Sequence, residues 1–342
     1  MTALDSRPFR EGIFHIAALF QGHLDARDHP KALTGLLALK RAADQKAAGD
    51  LTGFLSHAPV WDEIRAAESP GEALTAAYAR LEEAHPGTER WFDDLTFSQK
   101  KDDLWSEVIA IISGFSLGDA DPEAFSGMLL QFYREGAGWP GSFETPPPLA
   151  LLLAGLLAPE KGVSIVDPFC QDGAALVAGA RYAREHGTPG VTLYAQTPTE
   201  YTRLAVALTF LVHNCPDAHI ATGDTLLAPG FVEGRRLAAF DGVVGIIPAG
   251  AADWGSEALQ PDPYLRFIYG VPPRTSRDYA YLSHALASLD DGGRLVAVVP
   301  AGVLFRSART ERAIRTAIVN DDRVEAVIVE RQVQRAGAFE CQ

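Results

Sequence analysis

Cysteine is scarce: Cys170, Cys215 and Cys341 are the only three in 342 residues, far apart and with no CxxC pair. That argues against a disulfide framework and a cysteine-rich zinc site, and it fits a reducing, cytoplasmic setting. Long apolar runs are missing too. The longest, residues 149–158, lies between prolines and falls well short of the roughly 20 residues a membrane-crossing helix needs. The opening MTALDSRPFREG has no apolar segment of the secretory-signal kind. Basic charge is in deficit, with 30 Lys and Arg against 44 Asp and Glu, for a net charge of −14. Nucleic-acid phosphate repels such a chain as a whole, so contact with DNA calls for a local basic face or a basic partner.

What is present is globular material. The residues are 47% hydrophobic, which argues against disorder, and the length suggests about two domains. The chain changes character near residue 160. Before it, Phe14, Ala17, Ala18 and Leu24 recur at helical spacing, followed by Leu33, Leu36 and Leu37, then Leu74, Tyr78 and Leu81. Ser69-Pro70-Gly71-Glu72 has the form of a helix start, with Ser as cap and Pro first in the helix. The run 108–112 is apolar and of ambiguous type. Residues 140–148 are proline-rich and read as a linker, because proline fixes φ and removes a donor.

From 163 onward, strands at 163–166, 191–195, 219–222, 240–247, 294–299 and 324–329 alternate with helices at 174–185, 200–213, 277–289 and 310–319. The alternation predicts an α/β fold with a mostly parallel sheet covered on both faces. We expect a helical N-terminal domain (1–139), the linker (140–148), an α/β domain (149–330) and a short C-terminal tail (331–342). Ligands of such sheets bind beyond the carboxyl ends of the strands. Chemistry is therefore expected in the loops after 166, 195, 222 and 247.

The first loop, Asp167-Pro168-Phe169-Cys170-Gln171-Asp172-Gly173-Ala174, runs from a strand into a helix. An acid at the strand end and a helix N-terminus suit a polar ligand held by backbone amides. The third, Gly223-Asp224-Thr225-Leu226, again puts an acid just past a strand. The fourth is Phe240-Asp241-Gly242-Val243-Val244-Gly245-Ile246-Ile247-Pro248-Ala249-Gly250. In order and spacing these resemble the DPxCGSGG, GDTL and FDxVxxNPPFG segments of the M subunits of type I restriction-modification systems. Those subunits are N6-adenine DNA methyltransferases of the class I S-adenosylmethionine fold. Trp61-Asp62-Glu63-Ile64-Arg65, Pro70-Gly71-Glu72-Ala73-Leu74 and Phe143-Glu144-Thr145-Pro146 resemble the helical N-domain and FYTP segment of that family. Pro300-Ala301-Gly302-Val303-Leu304-Phe305-Arg306 matches its LPxGVLFR run. The resemblance implies a Rossmann-like methyltransferase domain, S-adenosylmethionine as cofactor, and DNA and a specificity-type subunit as partners. It implies cofactor contacts at Asp167, Pro168, Phe169, Gly173, Asp224 and Thr225, and at Phe143, Thr145 and Pro146. It calls for neither a metal nor a membrane, and the sequence is compatible with a homo-oligomer.

The departures fall on the chemistry. Gln171 and Ala174 stand where the family has glycine. The family's YGQE is here Tyr194-Ala195-Gln196-Thr197, so the carboxylate implied for the ribose hydroxyls has become threonine, and charge-assisted hydrogen bonds are roughly twice as strong as neutral ones. In the family, the asparagine and first proline of NPPF accept hydrogen bonds from the target amine, and the aromatic stacks on the flipped base. Here the slot reads Ile246, Ile247, Pro248 and Ala249, and only Pro248 matches. We therefore expect a catalytically degenerate relative, a DNA- or protein-binding component of a restriction-modification or defence-type system, with Gln171 or its neighbours filling the cofactor site. Two alternatives are an active adenine methyltransferase with an altered loop and an S-adenosylmethionine-fold enzyme on another substrate. Both require an open pocket beyond Asp167 and Asp224 and a groove beside Pro248.

Plainer readings stand beside these. Asp167 and Asp224 also suit capping or turns at strand ends, and Asp241 suits a turn. Gly114-Phe115-Ser116-Leu117-Gly118 matches the nucleophile-elbow pattern, but a helix must follow at once, and Asp119-Ala120-Asp121-Pro122 intervenes. His213 and His219 read as structural, and Trp61, Trp91 and Trp105 as core. Lys40-Arg41 and Lys100-Lys101 read as solvated surface.

Overall fold

The computed structural model describes residues 4, 6–137, 145–248, 253–259 and 261–329. The chain opens with helices α1 (Arg7–Gln21), α2 (Asp28–Ala47), α3 (Trp61–Ala66), α4 (Pro70–Ala84), α5 (Asp102–Ser113) and α6 (Pro122–Ala137). The apolar run 108–112 belongs to α5. Ser69 caps α4, accepting from the Glu72 N–H with Pro70 first in the helix. In α1 the helical period holds but the buried face differs from the expected one. Phe9, Ile16 and Phe20 point inward, while Phe14 is 75% exposed. The inward stripe is the one that meets Phe115 and Trp105.

Lys40 and Arg41 also depart from expectation, for both are buried in α2. The Lys40 ammonium bonds Asp44 and the Phe115 carbonyl and lies over the Trp61 ring. The Arg41 guanidinium donates to Gln45 and to the Val212 and Ala120 carbonyls. Each cation carries its own acceptors inside, which is what permits burial. Trp61, Trp91 and Trp105 are core residues as expected.

Next come α7 (Pro147–Leu157), β1 (Ser164–Asp167), α8 (Ala174–Glu185), β2 (Thr192–Thr197), α9 (Glu200–Val212) and β3 (Ala218–Thr222). A short hairpin, β4 (Val232–Glu233) and β5 (Arg236–Leu237), precedes β6 (Phe240–Ile246). α10 (Arg277–Ala287), β7 (Leu289–Val298), α11 (Gly302–Phe305) and α12 (Arg309–Asn320) complete the described elements. The main sheet is parallel throughout, in the order β3-β2-β1-β6-β7.

Side chains alternate across it, as the pleat requires. Ile165, Leu193, Ala195 and Val244 share one apolar cluster with α7, α8, α9 and the N-terminal helices. Val166, Val243, Leu295 and Ala297 pack on the other side with α10 residues Tyr281 and Ala285. α9 joins the two regions: the Trp91 and Phe210 rings lie 5.6 Å apart, and the Arg41 guanidinium reaches the Val212 carbonyl. Asp241, expected in a turn, instead accepts from the Ser164 N–H and hydroxyl across the β1–β6 pair, which lowers its pKa.

The expected strand at 324–329 is not formed. These residues are exposed and hold no ladder partner among the described residues, despite four β-branched side chains, Val324, Val327, Ile328 and Val329. β-propensity expresses packing on a neighbouring strand, and here no such neighbour is described.

Candidate functional site

Strand order reverses at β1, which has β2 on one side and β6 on the other. The carboxyl ends of β1 and β6 therefore flank a crevice, the usual ligand position of open parallel sheets. Asp167 ends β1 inside it. Its carboxyl accepts the Phe169 N–H at 2.9 Å, and burial, with Asp172's charge adding to it, pushes its pKa up to about 8. Gly245 on β6 leaves the room: a Cβ there would stand 2.6 Å from Asp167 Oδ1.

The cleft above Asp167 holds a cavity of about 40 Å³, well below the range of small-molecule sites. Phe169, Gln171 and Ala175 wall one side, Gly245, Ile246 and Pro248 the other, and Thr145 closes the end. Gln171 is part of that lining. Its amide folds back toward the Phe169 carbonyl at 3.4 Å.

Thr145 is held there by a residue that the sequence reading passed over. The Asp172 carboxylate accepts from the Thr145 N–H and hydroxyl and from the Ala174 N–H at the start of α8. An Asp bonding backbone two residues ahead is a recognised turn signal, so this one was available. Gly173 caps α8 at φ +75°, a conformation that favours glycine. Pro146 stands at the N-cap of α7, and Pro168 occupies the turn between Asp167 and Phe169. Phe143 and Ala249 lie outside the described residues.

At the end of β2, Thr197 is fully buried. Its hydroxyl is within 3.3 Å of the Ala221 carbonyl and 3.5 Å of the Thr199 carbonyl. Asp224, beyond β3, is exposed. One of its oxygens accepts the Leu226 and Leu227 N–H groups. Thr225 turns inward instead of lining the cleft, and its hydroxyl contacts Gln196 Oε1 and His284 Nε2, both at 3.2 Å.

Gln196 is the second residue missed. Its Nε2 donates to the Gly223 and Ala228 carbonyls, and its Oε1 accepts the Gly230 N–H. The polar chain continues inward. Arg266 Nη1 lies 3.2 Å from His284 Nδ1 and donates to the Leu226 carbonyl, while the guanidinium forks onto Asp262. Burial, then the neighbouring Arg266 charge, lowers the His284 pKa to about 3, so this imidazole is neutral at physiological pH.

At the end of β6, Ile246 faces the cleft with Pro248, whereas Ile247 is buried in the core and its N–H donates to the Val298 carbonyl at 2.9 Å. Ser116 is exposed in the loop between α5 and α6, with no helix opening behind it. His213 is partly buried against the Ser126 hydroxyl at 3.1 Å, and desolvation lowers its pKa to about 4. Among the described residues, no three His, Cys, Asp or Glu side chains gather to hold a metal, and no helix is long and apolar enough to cross a membrane.

A sequence profile of the N-6 DNA methylase family matches residues 118–331, well over half of the chain. The chain belongs to the N-6 DNA methylase family. It is 28% identical over 208 residues to the MjaVIII methylase subunit of a type I restriction enzyme from Methanocaldococcus jannaschii, covering 58% of this chain and 35% of the relative. It is 25% identical over 191 residues to the HindI methylase subunit of Haemophilus influenzae, covering 55% and 42%. This family member thus spans well under half the length of these curated relatives. In structure it resembles a type I restriction-modification methyltransferase subunit from Streptococcus thermophilus, with TM-score 0.64 and 20% identity over 91% of this chain and 78% of the other. It also resembles a Listeria monocytogenes protein described as a class I S-adenosylmethionine-dependent methyltransferase, with TM-score 0.51 and 13% identity over 77% and 79%. The fold is that of the class I methyltransferases, with a helical N-terminal region.

Proposed function

We propose that this member of the N-6 DNA methylase family keeps a cofactor cleft but has lost methyl transfer to adenine, and acts as a DNA-binding component beside a specificity-type subunit. The observation that carries this is the end of β6. Ile246 faces the cleft where the family's asparagine would accept the target amine, and an isoleucine offers no acceptor. Oriented polar groups of this kind are worth several kcal/mol to a transition state, hence decades of rate.

The residues fit S-adenosylmethionine at two places. Its cationic methionine end suits the cleft floor, because a cation beside Asp167 offsets the burial that opposes ionisation of that carboxyl. Asp224, exposed beyond β3, is free on one oxygen to accept from an adenine amine. At the ribose position Thr197 supplies a hydroxyl already committed to backbone, so binding is weaker there. When bound, the cofactor supplies an electrophilic methyl group.

The retained acids Asp167 and Asp224 favour a second reading, an S-adenosylmethionine-fold enzyme acting through an altered loop or on another substrate. Calorimetric titration with S-adenosylmethionine, with Asp167→Ala as control, is the first test. Mass spectrometry for N6-methyladenine after incubation with adenine-containing duplex is the second. Binding that the substitution abolishes, without methylation of DNA, supports the proposal. N6-methyladenine formation overturns it. Absence of binding moves the protein to a purely macromolecular role.

A further inference from the structure

We propose that Phe305, Arg309 and Arg312 form a contact for the sugar-phosphate backbone of duplex DNA beside the cleft. The inference rests on the reading that DNA is the substrate class. β7 runs parallel to β6 with Val298 paired to Ile246, so the chain leaving β7 emerges at the same rim as the cleft. There α11 presents Phe305, 71% exposed, while its neighbour Val303 is buried.

The local acids are already occupied. Arg306 pairs with both Asp278 and Glu311, and Ser276 also bonds Glu311. Arg315 is turned inward to the Tyr279 hydroxyl and the Val303 and Arg306 carbonyls. That leaves Arg309 and Arg312, exposed, three residues apart on the first turn of α12, and in no ion pair among the described residues. The α12 N-cap, Ala308, supplies no side-chain acceptor, so the helix end adds its own preference for an anion. In a chain of net charge −14, residues 300–320 carry four arginines and one glutamate. An exposed ring and paired free guanidinium groups at one rim match a backbone of phosphates and sugars.

The test is fluorescence anisotropy of the full chain with a labelled duplex of about 30 base pairs between about 50 and 200 mM salt. Arg309→Ala with Arg312→Ala is expected to weaken binding and to lower the slope of log K against log salt by about 1.8, two phosphate contacts at about 0.9 each. Phe305→Ala is expected to weaken binding at unchanged slope. Arg235→Ala with Arg236→Ala removes the same charge from the β4–β5 hairpin, which lies before the amino end of β6, and is expected to change neither. An unchanged slope in the α12 variant, or an equal loss in the hairpin variant, overturns the inference while DNA binding stands. Wild-type protein that binds no duplex at the lowest salt overturns both. S-adenosylmethionine affinity, unchanged in every variant, confirms that the fold is intact.

Discussion

Asp167→Asn should make the protein more stable, and increasingly so as pH rises. The wild-type carboxyl has a folded pKa of about 8, against an ordinary value of 3.8, because it is buried. Below the lower value both states hold the proton and nothing is lost. Above it the unfolded chain releases a proton that the folded protein retains, so stability falls by about 1.4 kcal/mol for each pH unit until about pH 8. The whole interval corresponds to a ceiling of about 6 kcal/mol, and the part between pH 5 and 8 to about 4 kcal/mol. Asparagine does not titrate, and its amide oxygen can still accept the Phe169 N–H. Urea denaturation at pH 5, 6.5 and 8 measures the gap between the two proteins. It should widen steadily in favour of the variant. A gap that is flat or narrows with rising pH would show that the carboxyl is not held protonated in the fold. The same variant should bind S-adenosylmethionine less well, since asparagine cannot ionise beside a cation.

Arg266→Met strands the Asp262 carboxylate and the Leu226 carbonyl inside the protein, and should cost about 3–5 kcal/mol in urea denaturation. It should also raise the His284 pKa, read by NMR, because a neighbouring cation is removed. Phe210→Ala empties a site against Trp91 and should cost about 3–5 kcal/mol; unfolding followed by tryptophan fluorescence and by circular dichroism should shift together, since α9 belongs to both regions. Ile246→Asn combined with Ile247→Pro and Ala249→Phe should yield no N6-methyladenine, because Thr197 still supplies no carboxylate at the end of β2 and proline removes the Ile247 N–H bond to Val298.

The parallel sheet and its helices were legible because each carries its own period and caps. The helix at 174–185 matches α8 to the residue, and four of the expected strands fall within one or two residues, while β7 begins five residues before the expected 294. What failed depends on contacts distant in sequence. Lys40 and Arg41 look like surface charge until the Phe115, Ala120 and Val212 carbonyls meet them. Phe14 carries the right period on the wrong stripe. Residues 324–329 have a strand's composition and no partner. The cleft loops were legible as motifs, but their working contacts were less so. Thr225 turned inward, and the Gln171 amide folded back toward the Phe169 carbonyl. Gln196 acts through bonds to backbone that no spacing announces, whereas Asp172 offered a turn signal two residues ahead.

The close approach of Gly245 to Asp167 orders the history open to this site. No side chain can be gained at 245 while the carboxyl occupies that space, so substitution at 167 by something smaller must come first. Gly245→Ala should therefore be harmful alone and tolerated in an Asp167→Gly background. A lineage that abandons the acid gains freedom on β6, and one that keeps it remains bound to glycine across the strand pair.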